Sequence, residues 1–262
     1  MQSYSIATMA QRRAGTTALF PIIHESVGLQ RAYLAELRRF LKAATKALRE
    51  IIITSYRQRV LTTDATTEDF GRFEQVLAGL LRVASDSIAA LLRLETQRHT
   101  DRFAEAARRA FGLDLKGIVN AEDLGDYLDQ VALRNAGLIK GLSDDLVKRV
   151  KTVTVNSLVN GETVGSLQKK LKHELGVADS RAQLIARDQT SKLNADLNKK
   201  RHTQAGVKKY TWRTSQDERV RKRHKRLDGN VYEYGQATGA EQGLEPGQPI
   251  QCRCIAQAVV EF

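Results

Sequence analysis

The apolar residues of the N-terminal half recur at alternating steps of three and four, and this spacing constrains the fold more than any other feature. Because an α-helix has about 3.6 residues per turn, such a spacing places the side chains in one stripe along a helix. The first stripe consists of Leu34, Leu37, Leu41, Ala44, Leu48 and Ile51. The second consists of Phe73, Leu77, Leu80, Ala84, Ile88 and Leu91. We therefore predict two long amphipathic helices that bury these stripes. A coiled coil is the alternative, which the charged Arg93 and Glu95 disfavour.

Glycine residues divide the helical pattern in the middle of the chain. Glycine enters the left-handed conformation that follows many helices at little cost, so each glycine is a candidate helix end. The expected shorter helices are Ala121 to Leu142, Asp144 to Leu158 and Thr163 to Leu175, separated by Gly141, Gly161 and Gly176. A further helix is expected from Ser180, as an N-cap, to Gln204.

The end of the chain changes in composition from helical to mixed. Val207–Thr214 is β-branched and aromatic, Asp217–Leu227 has helical composition, and Ile250–Val260 ends in a strand-like run. The predicted fold class is therefore α+β. A mostly helical N-terminal region with long amphipathic helices, residues 1–177, precedes a small C-terminal α+β domain, residues 178–262.

Charge and cysteine content narrow the functional classes. The 42 basic and 30 acidic residues give a formal net charge of +12, which favours a polyanionic partner such as nucleic acid. The sequence has no run of about 20 apolar residues and no apolar secretory block at its start, so we expect a soluble protein made in a cytoplasm. Two cysteines, two residues apart, cannot form the disulfide framework of a small secreted domain.

Several short motifs follow one another in the C-terminal region. They are the runs Leu184–Thr190, Ala205–Trp212 and Thr214–Arg221, then His224, Leu227 and Gly229, and finally Pro246-Gly247 and Cys252-Arg253-Cys254 before an apolar strand. In this order and spacing they resemble the Mu F-type phage minor head protein family, over residues 178–262. The motif positions are Trp212, Asp217, Arg219, His224, Gly229, Pro246, Gly247, Cys252, Arg253 and Cys254.

The resemblance implies a function that composition alone does not. It implies a non-enzymatic minor head, or minor capsid, protein of a tailed bacteriophage that acts in head morphogenesis and in DNA delivery. The implied partners are the portal protein, a capsid or scaffolding protein, and double-stranded DNA bound without sequence preference. The implied location is the virion, in the capsid interior near the portal, after synthesis in the host cytoplasm. No membrane span is expected.

Two groups of cations are candidates for DNA contact. The denser group is Arg219, Arg221, Lys222, Arg223, Lys225 and Arg226, and the second is Lys199, Lys200 and Arg201. Each phosphate that such a side chain neutralises releases counterions, which is a gain independent of base sequence. The alternative is a solvated surface, because consecutive cations on a helix cannot all face one way.

The cysteine pair raises the question of a metal. On a strand, Cys252 and Cys254 would point to the same side. The four candidate ligands are Asp217, His224, Cys252 and Cys254, a donor set that suits tetrahedral zinc. Some relatives carry more Cys and His ligands, where this chain has Arg221 and Pro249. The alternative is a pair of buried thiols. We expect no other cofactor.

A nuclease and a general nucleic-acid-binding protein are the alternative functions. Asp217, Arg219 and His224 could serve as an acid, an anion binder and a general base in phosphodiester cleavage. The sequence supplies no further carboxylate pair at metal-site spacing and no phosphate-cradling glycine loop. We therefore predict no enzymatic activity and assign no catalytic residue.

Overall fold

The computed structural model describes residues 4–58, 63–119 and 124–262. The elements in chain order are α1 (Ile6–Met9), β1 (Thr17–Leu19), α2 (Val27–Leu48), a π-helical turn (Arg49–Ile53), α3 (Thr54–Gln58), α4 (Thr63–Phe111), α5 (Gly125–Val159), α6 (Val164–Gln204), β2 (Lys209–Arg213), α7 (Lys222–Lys225), β3 (Val231–Glu233), a 3-10 turn (Glu241–Gly243) and β4 (Ile255–Glu261). Long helices and a small antiparallel sheet make this an α+β fold, as the sequence predicted.

The two apolar stripes lie where the spacing predicted, on α2 and α4. The fully buried members are Leu37, Leu41, Ala44, Leu48, Phe73, Leu77, Ala84 and Ile88. The outer members, among them Leu34, Leu80 and Leu91, are half-buried. Since most of each stripe is covered within the chain, the stripes serve as core.

The helices after α4 are longer than predicted. Gly141 lies inside α5 and Gly176 lies inside α6, so two of the three proposed glycine stops are wrong. Ser180 is also not an N-cap, because it lies within α6 and its hydroxyl donates to the carbonyl of Gly176 at 3.1 Å. A helical glycine costs only about 1 kcal/mol, which burial of neighbouring apolar residues exceeds. Gly161, with φ of +63°, does lie between two helices. The expected start at Ala121 falls outside the described residues.

The four strands form one antiparallel sheet in the order β1-β4-β2-β3. The strand-like runs predicted within Val207–Thr214 and Ile250–Val260 correspond to β2 and β4, which pair from Lys209 with Val259 to Arg213 with Ile255. The helix expected over Asp217–Leu227 is reduced to the four residues of α7. Strand β1 comes from the N-terminal segment and was not predicted; it pairs with the end of β4, Thr17 opposite Glu261.

The chain divides into two compact units. One consists of Met1–Leu29, Arg93–Leu128 and Arg187–Phe262, and the other of Gln30–Leu92 and Asp129–Ala186. The first unit contains the sheet and two buried clusters, one around Phe20 and Phe103, whose rings stack 4.9 Å apart, and one around Trp212. The boundary between residues 177 and 178 stays a prediction.

Helix α4 contains a long, mostly apolar segment. Within Thr67–Phe111 an 18-residue window reaches a mean hydropathy of 1.4, so by length and composition this helix could cross a membrane. The core helix of a water-soluble protein can meet the same test, which gives the observation little weight. Only 22% of that window is buried within the chain.

Candidate metal centre and basic surface

His224, Cys252 and Cys254 come together in the small α+β part of the first unit. Their donor atoms all lie within 4.8 Å of one another. The Nδ1 atom of His224 is 3.5 Å from the sulfur of Cys252 and 3.4 Å from that of Cys254. All three residues are buried, with 2%, 2% and 5% of their surface exposed. Three of the four predicted metal ligands therefore form one buried cluster.

Neighbouring elements hold this cluster in place. Helix α7 supplies His224, and the segment before β4 supplies both cysteines. Trp212, on β2, is fully buried and meets the imidazole edge-on, with ring centroids 5.4 Å apart. Leu227 packs in the same cluster. The site is thus built into the core of the sheet domain.

Glu241 orients the histidine. Its Oε2 atom lies 2.7 Å from Nε2 of His224, so this ring nitrogen is engaged and Nδ1 faces the two sulfurs. A carboxylate behind a histidine is the arrangement that fixes the ring and its tautomer in many metal sites. Sequence reasoning missed Glu241, because it lies in a polar, glycine-rich segment with no recognisable motif.

The pKa values of the two thiols shift in opposite directions. The hydrogen bond from Cys254, with backbone N–H groups of Cys254 and Gly247, lowers the pKa of Cys252. The hydrogen bond to Cys252, together with burial, raises the pKa of Cys254.

Asp217, the fourth predicted ligand, lies elsewhere. Its carboxylate forms a two-pronged ion pair with the guanidinium of Arg253, at 2.6 and 2.8 Å, and accepts a hydrogen bond from the backbone N–H of Arg219. The hydrogen bond from Arg253 lowers the pKa of this carboxyl group. Asp217 therefore joins two parts of the motif series and is not in the cluster with His224.

The motif glycines and proline shape the backbone near the cluster. Gly229 and Gly247 have φ of +80° and +82°, a region that side chains disfavour. A Cβ atom at Gly247 would lie 2.6 Å from the Cβ of Ala195, so the close approach of this loop to α6 requires glycine. Pro246 beside it is buried.

The denser cation group is exposed to solvent. This basic turn consists of Arg219, Arg221, Lys222, Arg223, Lys225 and Arg226, all of which are exposed. Arg219 lies 3.9 Å from Glu218, and Arg221 lies 3.6 Å from Glu241. Within the described part of the chain the other four form no ion pair. Their charge is therefore not neutralised locally.

The second cation group is mostly engaged within the protein. Lys199 pairs with Glu245 at 2.9 Å, and the ammonium of Lys200 lies 4.6 Å from the ring centre of Tyr127. Arg201 is fully buried and donates to the side chains of Gln204 and Thr100, each at 2.8 Å. The proposed DNA contact by Arg201 is corrected accordingly: its guanidinium hydrogen-bonds within the core and does not reach the surface.

The residues considered for phosphodiester cleavage do not converge. Both ring nitrogens of His224 face protein groups, Glu241 on one side and the cysteine sulfurs on the other. Asp217 is paired with Arg253. This arrangement gives His224 no free nitrogen with which to act as a general base.

Comparison with known protein families agrees with the motif series. Residues 148–257 match the family model of the Phage Mu protein F like protein. The suspected resemblance is thereby confirmed, and the matched region begins within α5, about 30 residues before the boundary that the motifs suggested. The match relates the C-terminal part of the chain to a phage head-related family.

A similar protein matches a longer part of the chain than the family model does. An uncharacterised protein of Haemophilus influenzae strain KW20 Rd is 32% identical over 170 residues, which cover 64% of this chain and 37% of that protein. The chain thus spans well under two thirds of the length of this relative. No solved structure matches the chain significantly.

Proposed function

We propose that this Mu F-like chain is a minor head protein of a tailed bacteriophage, held in the capsid interior at the portal and in contact with packaged DNA. Its role is in head morphogenesis and DNA delivery, with a capsid or scaffolding protein as a further partner. The observation that carries the proposal is the match of residues 148–257 to the Mu F-like family. We propose no enzymatic activity and no membrane span for this chain.

The basic turn supports contact with DNA. Lys222, Arg223, Lys225 and Arg226 are exposed and, in the described residues, without acidic partners. No helix-turn-helix or other base-reading element accompanies them in the described structure. Phosphate contact without base readout is the mode that this arrangement fits, and such binding weakens steeply with salt.

A charge-removal experiment tests the DNA contact. Replacing those four cations with alanine should lower affinity for duplexes of unrelated sequence. It should also reduce the slope of log affinity against log salt by about one for each phosphate that the variant no longer neutralises. The matched control removes four exposed cations of the other compact unit, Arg31, Lys42, Arg49 and Arg57. Equal reductions of affinity in the two variants would show that only net charge matters.

Docking to the portal needs a surface that the core does not use. Leu37, Leu41 and Leu48, from the apolar stripe of α2, are buried inside this chain and are not available for such a contact. On α4, Val76 and Val83 remain 43% and 60% exposed, and their seven-residue spacing places them on one helix face. We propose this face as the contact with the portal.

Full-length variants test the docking better than fragments do. A fragment ending at Gly112 would separate β1 from β4, its partner in the sheet. With the whole chain co-expressed with the portal protein, replacing Val76 and Val83 with aspartate should abolish co-purification. Replacing Lys42 and Arg57 with aspartate provides the control for added negative charge on the same unit. Retained co-purification in the valine variant would refute this face as the docking surface.

A further inference from the structure

We propose that His224, Cys252 and Cys254 bind a zinc ion, with Glu241 as the positioning residue behind the histidine. The site has one nitrogen and two sulfur donors, which belong to buried residues and lie within 4.8 Å of one another. Borderline-soft zinc prefers this donor set in tetrahedral geometry, whereas magnesium and calcium prefer oxygen.

The geometry distinguishes a metal site from two packed thiols. If the sulfurs served only to fill space, nothing would require the imidazole to face both of them. Here Glu241 holds Nε2 at 2.7 Å, and Nδ1 lies 3.5 and 3.4 Å from the two sulfurs. A ring held by a carboxylate on one side and presenting its other nitrogen to thiols is the arrangement expected of a histidine ligand.

Zinc would connect parts of the chain that are far apart in sequence. The histidine belongs to the short α7, which carries the basic turn, and the cysteines precede β4 at the centre of the sheet. A four-residue helix has too little internal hydrogen bonding to be stable on its own. A metal bond from His224 to the β4 segment would therefore fix α7 and the cations around it. The three side chains supply three of the four positions of a tetrahedral site.

Metal analysis of the full-length protein tests the proposal. Purified wild-type protein should contain about one zinc per chain. After the zinc is removed with a chelator, Co²⁺ should restore the absorption of a tetrahedral thiolate complex. Because Cys252 and Cys254 are the chain's two cysteines, every thiol signal comes from this site. Both thiols should resist a thiol reagent in the zinc form and react after the chelator is added.

Variants assign the ligands. Cys252→Ser and Cys254→Ser should each abolish the cobalt spectrum, and His224→Gln should do the same. Glu241→Gln should retain the spectrum but bind zinc about 10- to 100-fold more weakly, as expected when a histidine loses its carboxylate partner. The exposed His173→Gln is the matched control and should behave as wild type.

Two outcomes would overturn the proposal. One is a wild-type protein that neither contains zinc nor takes up Co²⁺ while its circular dichroism shows it folded. The other is zinc uptake that survives both cysteine replacements. Folding failure of a variant cannot be confused with these outcomes, because the first is measured on the wild-type chain. The test is also independent of any role in the phage head.

Discussion

His99 and His202 should make the first compact unit sensitive to mild acid. Both imidazoles are almost completely buried, His99 with Nε2 at 3.0 Å from Oδ1 of Asn198 and His202 with Nδ1 at 2.7 Å from the hydroxyl of Tyr234. Burial lowers the pKa of each from 6.5 to about 3. Sequence reasoning missed both, since a single histidine in a helix carries no signal of its surroundings.

The direction and size of the effect follow from these pKa values. The folded state keeps both rings neutral, whereas the unfolded chain takes up protons below its pKa of 6.5. The stability that the two neutral rings contribute is therefore fully present above the histidine pKa of the unfolded chain. It is lost as the pH falls from there towards the histidine pKa of the folded state. In the range between about pH 6 and pH 5, each histidine should lower the free energy of unfolding by about 1.4 kcal/mol per pH unit.

Urea unfolding followed by tryptophan fluorescence measures this effect. Trp212 is the chain's one tryptophan and lies buried in the same unit as both histidines, so its signal reports on that unit. His99→Gln should reduce the pH slope by about 1.4 kcal/mol per pH unit relative to wild type. His173→Gln, at an exposed position, should leave the slope unchanged. Equal slopes for wild type and His99→Gln would refute the argument, because other titrating groups cancel in this comparison.

Three further results are expected. Gly247→Ala should destabilise the protein by about 1–3 kcal/mol in urea unfolding, since its Cβ would lie 2.6 Å from that of Ala195 at a φ of +82°; an unchanged midpoint would contradict this. Tyr33→Phe should cost about 1–3 kcal/mol, because Oδ1 of Asn135 would lose the buried hydrogen bond of 2.6 Å that it accepts. Purified protein with Mg²⁺, Mn²⁺ or Zn²⁺ should leave DNA intact, and cleavage that disappears in His224→Ala would contradict the non-enzymatic assignment.

The sequence predicted those parts of the fold that depend on local periodicity. The stripes through Leu37 and Phe73 were found because helical burial repeats every three or four residues. The stops at Gly141 and Gly176 were wrong, because a glycine in a helix is decided by tertiary packing that the local sequence does not contain. Strand β1 was missed for a similar reason: it is three residues long, and its partner β4 is at the opposite end of the chain.

At the candidate site, too, some features could be predicted from the local sequence and others depend on the tertiary fold. The residue types of His224, Cys252 and Cys254 were enough to nominate three ligands, and the structure brings these together. The place of Asp217 could not be read from composition, because its pairing with Arg253 depends on the path of the loop before α7. The contribution of Glu241 likewise depends on a turn that brings it to the histidine.

Mass spectrometry of purified virions tests the central claim most directly. Particles of a phage that encodes this chain would be treated with nuclease and protease to remove loosely attached material, and the proteins inside the heads would then be quantified against the major capsid protein. A minor head protein should be present, at far fewer copies than the major capsid protein. Its absence from mature particles and from their assembly intermediates would contradict the assignment.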